Sequence, residues 1–196
     1  MKATRDEIIS LADWHIRKNG YNAFSYRDIA LQMNVRNAAI HHYFPAKSDL
    51  GIAVVQEEIK KVTASKENNM DLSAVGQIKK LVEGFYYYGE KGLICLTGSM
   101  TPEYNSFPPP LQDKVVEMCN ITLDWLSDCL EKARSGRDLH FQGTSADRAL
   151  LVITSLLSSL LLSRALGIQV FQRMMDQVLQ DMGANWRIAL MAQSGR

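Results

Sequence analysis

Residues 25–50, which read SYRDIALQMNVRNAAIHHYFPAKSDL, decide the fold of this chain. Ser25 and Asp28 have the spacing of a capping box, in which two side chains satisfy free backbone groups at the start of a helix. A helix is therefore predicted to begin at Tyr26. The residues that share one face of this helix and are predicted to be buried are Ile29, Ala30 and Met33.

A tight turn and a second short helix follow. Asn34 supplies the turn, because Asn tolerates the left-handed backbone conformation better than most residues with a β-carbon. The next helix is predicted over about Asn37 to Phe44, with Ile40 and Phe44 buried. Pro45 ends it, since the residue before a proline disfavours the helical region. Two short helices joined in this way are typical of a helix-turn-helix whose second helix enters the DNA major groove.

Residues on both sides of this motif extend the pattern. Thr4 and Glu7 form a second capping box, and Gly20 is placed to stop the helix that begins there. The positions that carry the pattern are Thr4, Glu7, Ile8, Ile9, Ala12, Ile16, Gly20, Tyr21, Ser25, Asp28, Ile29, Ala30, Ile40, His42, Tyr43, Phe44, Lys47 and Leu50. From about Thr4 to Val54 the chain resembles the DNA-binding domain of the tetracycline-repressor (TetR) family of bacterial regulators.

The resemblance implies an all-α protein, with an N-terminal three-helix helix-turn-helix head on a larger helical body that binds a ligand and dimerises. Four positions depart from the family pattern. Asn34 stands in place of a usual Gly, and Arg36 stands where Ser or Thr usually caps the recognition helix, so the cap is lost or moves to Asn37. Ala39 replaces a common Thr, and His15 occupies a usually apolar position. These changes do not alter the fold prediction, but they affect which operator sequence the protein would recognise.

The predicted DNA contacts divide into two kinds. Tyr43 and Lys47 match the family's phosphate-contacting positions, and phosphate contacts orient a protein without reading sequence. Base reading is predicted for Arg36, Asn37 and His41, because Arg pairs best with guanine and Asn with adenine; two neighbouring alanines allow close approach and thymine-methyl contact. The complete predicted set is Arg27, Arg36, Asn37, Ala38, Ala39, His41, His42, Tyr43 and Lys47.

Composition agrees with a globular regulator. The 196 residues are 46% hydrophobic and 22% charged, which suffices for a proper core. The net charge of +1 means that DNA affinity depends on where the charges sit. None of the common hydrolase, zinc-protease, phosphate-loop or C-x-x-C motifs occurs, so no enzyme and no cofactor are predicted. His41 and His42 are adjacent and point about 100° apart on a helix, so they cannot share a metal ion.

Cysteines and hydropathy indicate a cytoplasmic protein. Cys95, Cys119 and Cys129 lack metal-ligand spacing and suit a reducing compartment. They are interpreted as small core residues, with a redox-sensing thiol as the alternative. No signal peptide is visible. The most apolar run, Ala149 to Ser163, is shorter than the roughly 18 to 20 residues of a membrane span and is predicted to be a buried helix, so no membrane association is expected.

The rest of the chain is predicted to be helical. The domain prediction is a helix-turn-helix domain over residues 1–46, a linking helix over 47–66, and an effector-binding and dimerisation domain over 67–196. Residues 106–110 are predicted to be a rigid connector, and Glu57 and Glu58 a solvated face. The further helices are predicted over about 73–88, 93–104, 111–134, 145–166 and 169–191.

The two final helices are the predicted dimer interface. The first of them is apolar nearly all round, which requires burial on both sides, and its serines recur at i+4, where they allow close packing. The resemblance favours a homodimer that presents two recognition helices to a pseudo-palindrome; the alternative is that both helices complete a monomer core. The predicted interface residues are Ser155, Ser159, Leu162, Ser163, Met174, Val178 and Trp186.

An effector pocket is predicted in the body. Aromatic and Met side chains are expected to line an apolar cavity, with Tyr86 as a polar group, although for any single residue ordinary core packing is the favoured interpretation. The predicted lining is Val82, Phe85, Tyr86, Met100, Met118 and Trp125. The resulting hypothesis is a repressor that an unidentified small, mostly apolar effector releases from DNA. Two alternatives stay open: a regulator controlled by a protein partner, and a ligand-binding protein that no longer binds DNA.

Overall fold

The computed structural model describes residues 4–183, and within that range the chain is all-α, as predicted. The elements are α1 (Arg5–Asn19), α2 (Tyr26–Met33), α3 (Asn37–Tyr43), α4 (Lys47–Asn68), α5 (Ala74–Glu90), α6 (Leu96–Met100), a 3₁₀-helix (Thr101–Ser106), α7 (Pro109–Ser135), α8 (Ser145–Leu166) and α9 (Gln169–Asp181). The helix α9 ends at Asp181, with Met182 as its C-cap and Gly183 at φ 70°, which corrects the prediction of one continuous helix to Met191. Trp186 lies outside the described residues.

Both predicted capping boxes near the N-terminus are confirmed. The Glu7 carboxylate accepts the backbone N–H of Thr4 at 3.0 Å, and the Asp28 carboxylate accepts that of Ser25 at 2.7 Å. Hydrogen bonds from the Thr4 and Ser25 hydroxyls, followed by these backbone hydrogen bonds, lower the pKa of Glu7 and of Asp28, because they favour the ionised carboxylate. The starts of α1 and α2 are therefore set by interactions between residues three apart.

The turn of the helix-turn-helix forms as predicted. Asn34 adopts the left-handed conformation, with φ 54° and ψ 46°. The Arg36 side chain makes no capping hydrogen bond at the start of α3, so the cap is lost. The recognition helix α3 ends at Tyr43, and Phe44 before Pro45 is extended.

Prolines account for the main differences in helix boundaries. The helix predicted over 93–104 is divided into α6 and the 3₁₀-helix, and Pro102 near the start of the latter cannot donate a backbone hydrogen bond. The predicted connector 106–110 is partly helical, because Pro109 and Pro110 form the first turn of α7, where a missing N–H costs nothing.

The chain divides into two compact units that do not follow the predicted boundaries at residues 46 and 66. The first contains the chain up to Thr63 together with Cys95–Asn120, and the second contains Ala64–Ile94 and the chain from Ile121 onward. The physical reason is a shared apolar core. Leu96, Met100 and Leu111 are fully buried in one cluster with the apolar residues of α1 to α4.

The second unit is built on α5, α8 and α9. Gly89 of α5 allows close packing, since a β-carbon there would collide with side-chain atoms of Leu160 and Ile168. The ring of Phe171 lies 6.0 Å from that of Tyr86, and the Tyr86 hydroxyl is hydrogen-bonded to Gln172 at 3.2 Å. The inward face of α8 is therefore packed against its own unit.

The prediction that α8 is a buried helix is corrected, because one face of the helix is exposed. Its exposed leucines are Leu150, Leu151, Leu161, Leu162 and Leu166. The helix has 22 residues, longer than the predicted apolar run, and by length and composition it could cross a membrane. Only 33% of its most apolar window is buried within the described chain. One apolar face of α8 thus lacks a partner within the described part of the protomer.

Candidate nucleic-acid interface

The recognition helix α3 has one buried side and one exposed side. Ile40 is fully buried in the core of the first unit. The predicted DNA-binding residues on the exposed side are Arg36, Asn37, Ala38, His41 and His42, and Arg27 of α2 is exposed as well. Ala39 and Tyr43 are half-buried. The helix therefore presents a short polar surface with small side chains at its N-terminal half.

Tyr26, to which no role was assigned from sequence, joins α2 to the end of α3. Its hydroxyl donates to the Phe44 carbonyl at 2.9 Å, and its ring meets that of His41 edge-on at 4.7 Å. Burial raises the pKa of Tyr26 to about 12, so the hydroxyl stays protonated and can donate. Tyr26 thereby fixes the orientation of the recognition helix.

Lys47 does not occupy the exposed position expected of a phosphate contact. Its Nζ donates to the Phe24 carbonyl at 2.6 Å and lies 4.4 Å from the centre of the Phe24 ring and 4.7 Å from that of Tyr21. Burial lowers the pKa of Lys47, while the negative charges of Glu103 and Asp28 act in the opposite direction. The aromatic surroundings explain the inward position, since an ammonium group is attracted to ring faces. A phosphate contact would require Nζ to leave these partners.

A buried ion cluster connects α1 to α4, and it corrects the prediction that Glu58 belongs to a solvated face. The Arg17 side chain is 1% exposed and reaches Asp13 at 2.9 Å and Glu58 at 2.6 Å. Glu57, by contrast, pairs with Lys60 at the surface. Sequence reasoning missed the cluster because Arg17 and Glu58 are 41 residues apart.

A second long-range contact holds the turn between α1 and α2. The backbone N–H of Asn22 donates to Glu103 Oε2 at 2.7 Å, and Asn22 Nδ2 donates to Ser106 Oγ at 2.9 Å. The rings of Tyr21 and Phe107 meet at 4.9 Å. The 3₁₀-helix and the residue after it therefore belong structurally to the helix-turn-helix.

A family model described as "Bacterial regulatory proteins, tetR family" matches residues 8–54, the segment that contains most of α1, all of α2 and α3, and the start of α4. Residues 8–54 therefore carry the N-terminal domain of the TetR family. No curated protein matches the chain.

Solved TetR-family structures match nearly the whole chain. A TetR transcriptional regulator from Legionella pneumophila is 28% identical, with a TM-score of 0.82, over 93% of this chain and 98% of that chain. A TetR-family regulator from Agrobacterium tumefaciens is 25% identical, with a TM-score of 0.84, over 90% and 96% of the respective chains. NemR of E. coli in its reduced form, 15% identical over 92% and 97% with a TM-score of 0.76, shows the same fold.

The predicted effector-pocket residues fall into both units. Met100 and Met118 belong to the apolar core of the first unit. In the second unit, Val82, Tyr86 and Trp125 are buried, and Phe85 is half-buried. Gln77, which was missed from sequence, accepts a hydrogen bond from Trp125 Nε1 at 3.1 Å and so places an amide among apolar residues.

Some of the predicted dimer residues are exposed or half-buried, and others are buried in the protomer. Leu162 and Met174 are exposed, with 50% and 38% of their surface accessible, and Ser155 and Ser163 are half-buried. Ser159 is 1% exposed, and its hydroxyl donates to the Leu156 carbonyl. Val178 is buried too. Ser159 and Val178 therefore lie inside the protomer's own fold, because α8 and α9 pack against each other.

The cysteines behave as core residues. Burial raises the pKa of Cys95 to about 12 and also raises the pKa values of Cys119 and Cys129. A thiol reacts with oxidants as the thiolate, so a raised pKa suppresses reactivity. This favours the structural interpretation of the cysteines over a redox sensor. Among the described residues no cluster of potential metal ligands occurs.

Proposed function

We propose that this protein is a cytoplasmic repressor that binds a pseudo-palindromic operator as a homodimer and leaves the DNA when a small, mostly apolar effector binds. The observation that carries the proposal is the exposed polar side of α3. Arg36, Asn37 and His41 are exposed, whereas Ile40 of the same helix-turn-helix segment is fully buried. A rigidly seated helix with donors at its N-terminal half is suited to reading base edges.

Base selection belongs to Asn37 and Arg36 in this proposal. Asn forms two hydrogen bonds with adenine and Arg two with guanine, and the exposed Ala38 leaves room for close approach. Lys47 is engaged with Phe24 and has a smaller direct role than the sequence indicated. No cofactor and no catalytic step are part of the proposal.

The exposed leucines of α8 support a homodimer. Contiguous exposed apolar surface on a soluble protein marks an interaction site, and a second copy of the same helix pair would cover it symmetrically. Leu162 and Met174 remain the interface residues of choice, and Leu151 joins them because it is exposed on the same helix. A two-fold dimer places two recognition helices about one DNA turn apart.

Effector control rests on the second unit and on α4. Val82, Phe85 and Trp125 provide apolar surface, and Gln77 provides the amide that would orient a ligand. The helix α4 starts beside the recognition helix and continues past Thr63, where the second unit of the chain begins. A ligand that binds more tightly to the arrangement of α4 that does not fit DNA lowers operator affinity. The size of the effect equals the difference between its affinities for the two arrangements, typically about 1 to 3 kcal/mol of coupling.

The test begins with selection of duplexes from a random-sequence DNA library by the purified protein. A selected palindrome that cell extract releases in a gel-shift assay supports the proposal. Release only by a protein fraction of the extract supports a partner-controlled regulator, and the absence of any selected duplex supports a ligand-binding protein without DNA binding.

Asn37→Ala provides the residue-level arm of this test. It should cost roughly 1 to 3 kcal/mol on the selected duplex and relax selectivity at one base pair. Asn120→Ala, the same change at an exposed position of α7, should leave binding unchanged. Equal losses on all sequence variants of the duplex would exclude base reading by Asn37.

A further inference from the structure

We propose that Glu103, a residue outside the helix-turn-helix, is a positioning residue for DNA binding: its carboxylate holds the turn between α1 and α2 in the arrangement that the recognition helix requires. The inference rests on the proposed DNA-binding function. It assigns to the 3₁₀-helix after α6 a role in building the interface, in addition to whatever part the body plays in sensing an effector.

Three consecutive contacts hold the turn. Glu103 Oε2 accepts the backbone N–H of Asn22 at 2.7 Å, and Ser106 Oγ accepts the Asn22 side-chain amide at 2.9 Å. Phe107 packs edge-on against Tyr21 at 4.9 Å. A hydrogen bond to an ionised carboxylate is stronger than one between neutral groups, so Glu103 makes the dominant polar contact.

Gly20 leaves room for this carboxylate. Its φ of 97° lies in the region that L side chains rarely adopt, and a β-carbon there would collide with Glu103 Oε1. The glycine therefore serves two purposes, since it ends α1 and admits the Glu103 side chain. The close approach places the carboxylate directly against the turn, where its other oxygen accepts the Asn22 N–H.

The turn is connected to the region of the recognition helix through Lys47. The rings of Tyr21 and Phe24, at its two ends, contact Lys47 Nζ, which donates to the Phe24 carbonyl. Lys47 is the first residue of α4 and follows α3 by only a short loop. The negative charge of Glu103 also favours the Lys47 ammonium in this position. Loss of Glu103 would remove the hydrogen bond to Asn22 and the electrostatic attraction on Lys47. The fraction of molecules whose head can bind DNA would therefore fall.

The direction in which Glu103→Ala changes operator affinity tests the proposal. Removal of a negative charge from a DNA-binding protein strengthens DNA binding by electrostatics alone. The proposal predicts the opposite for Glu103→Ala: operator binding weaker by about tenfold, the equivalent of one net hydrogen bond. The probe is the duplex that the wild-type protein selects from a random-sequence library. Glu117→Ala, which removes a surface carboxylate paired with Lys114 in the same unit, should bind equally or slightly more tightly.

A spectroscopic measurement separates positioning from a general loss of structure. The Asn22 amide should exchange its hydrogen faster in Glu103→Ala, while the protein still unfolds cooperatively and its melting temperature falls by no more than about 2 to 4 °C. Glu103→Gln retains an oxygen acceptor and should restore most of the amide protection and most of the affinity. The proposal is overturned if Glu103→Ala binds as tightly as Glu117→Ala, or if Asn22 exchange is unchanged.

Ser106→Ala keeps the proposal testable if Glu103→Ala does not fold. It removes a single exposed hydrogen bond to the same turn and should weaken operator binding by a smaller factor, whereas wild-type affinity would count against the proposal. If the wild-type protein selects no duplex, the proposed DNA-binding function fails, and Asn22 exchange still decides whether Glu103 holds the turn.

Discussion

At the scale of single residues, the most unusual side chain of the head is His15. It is 7% exposed, it stacks on Phe24 at 6.0 Å, and its Nε2 has no hydrogen-bond partner among the described residues. A buried polar atom without a partner is destabilising. His15→Leu should therefore raise the free energy of unfolding by about 1 kcal/mol, measured by urea denaturation. The exposed His140 gives the control, since His140→Leu should change little; a loss of stability in His15→Leu would show that the imidazole is needed.

Two tyrosines of the head predict how its stability responds to alkali. Burial is the main reason that the pKa values of Tyr21 and Tyr26 are raised from 10.0 to about 12. A pKa that is higher in the folded state gives stability that is present below pH 10 and lost as the pH rises from 10 towards 12. Lys47 acts oppositely, because its lowered pKa adds stability as the pH approaches 10.5.

The expected net result is a free energy of unfolding that falls above pH 10, with a smaller fall in Tyr21→Phe. Denaturant unfolding at a series of pH values measures the fall, and phenolate absorbance identifies the titrating tyrosines. An equal fall in Tyr21→Phe and the wild-type protein would show that another group dominates.

At the scale of the elements, the Arg17 cluster determines how α1 packs on α4. Glu58→Ala removes the carboxylate that lies 2.6 Å from the buried guanidinium and should cost about 3 kcal/mol of unfolding free energy. Glu57→Ala is the matched control one residue away, and its surface pair with Lys60 should be worth less than about 1 kcal/mol. Similar losses in the two variants, measured by urea denaturation, would contradict the structural role assigned to Arg17.

The elements also show which features a sequence can predict. The capping boxes at Thr4 and Ser25 and the left-handed Asn34 were predictable, because each depends on residues within four positions. The Asn22–Glu103 contact joins residues 81 apart, and no local pattern signals it. The inward position of Lys47 was missed for the same reason. The rings that hold it, Tyr21 and Phe24, lie in the turn between α1 and α2, and Phe24 is 23 residues away in sequence.

At the scale of the whole molecule, the exposed face of α8 predicts the consequence of a single charge. Leu162→Arg should leave each protomer folded, because half of the Leu162 surface is already exposed, but should place unpaired charge in the proposed interface. Monomers that no longer bind a palindrome are expected, measured by analytical ultracentrifugation and gel shift. Ser159→Arg is unsuited to this test because Ser159 lies inside the protomer.

Leu72→Arg is the control for the dimer experiment. Leu72 is another exposed leucine, located in the turn before α5, and its replacement should leave the oligomeric state unchanged. Wild-type protein that sediments as a monomer at micromolar concentration would remove the premise of the proposed interface.

The interrupted course of the first unit constrains the order in which the chain folds. Its core closes only when Leu96, Met100 and Leu111 join α1 to α4, although α1 to α3 are made first. During synthesis, a nascent chain that ends at Lys66 carries the complete helix-turn-helix without the side chains that cover it. We therefore expect the head to become protease-resistant on the ribosome only after α7 has begun to emerge. The DNA-binding head therefore folds only when the first part of α7 has been synthesised. Truncated translation products that end before α7 would lack a folded head and would not compete for the operator.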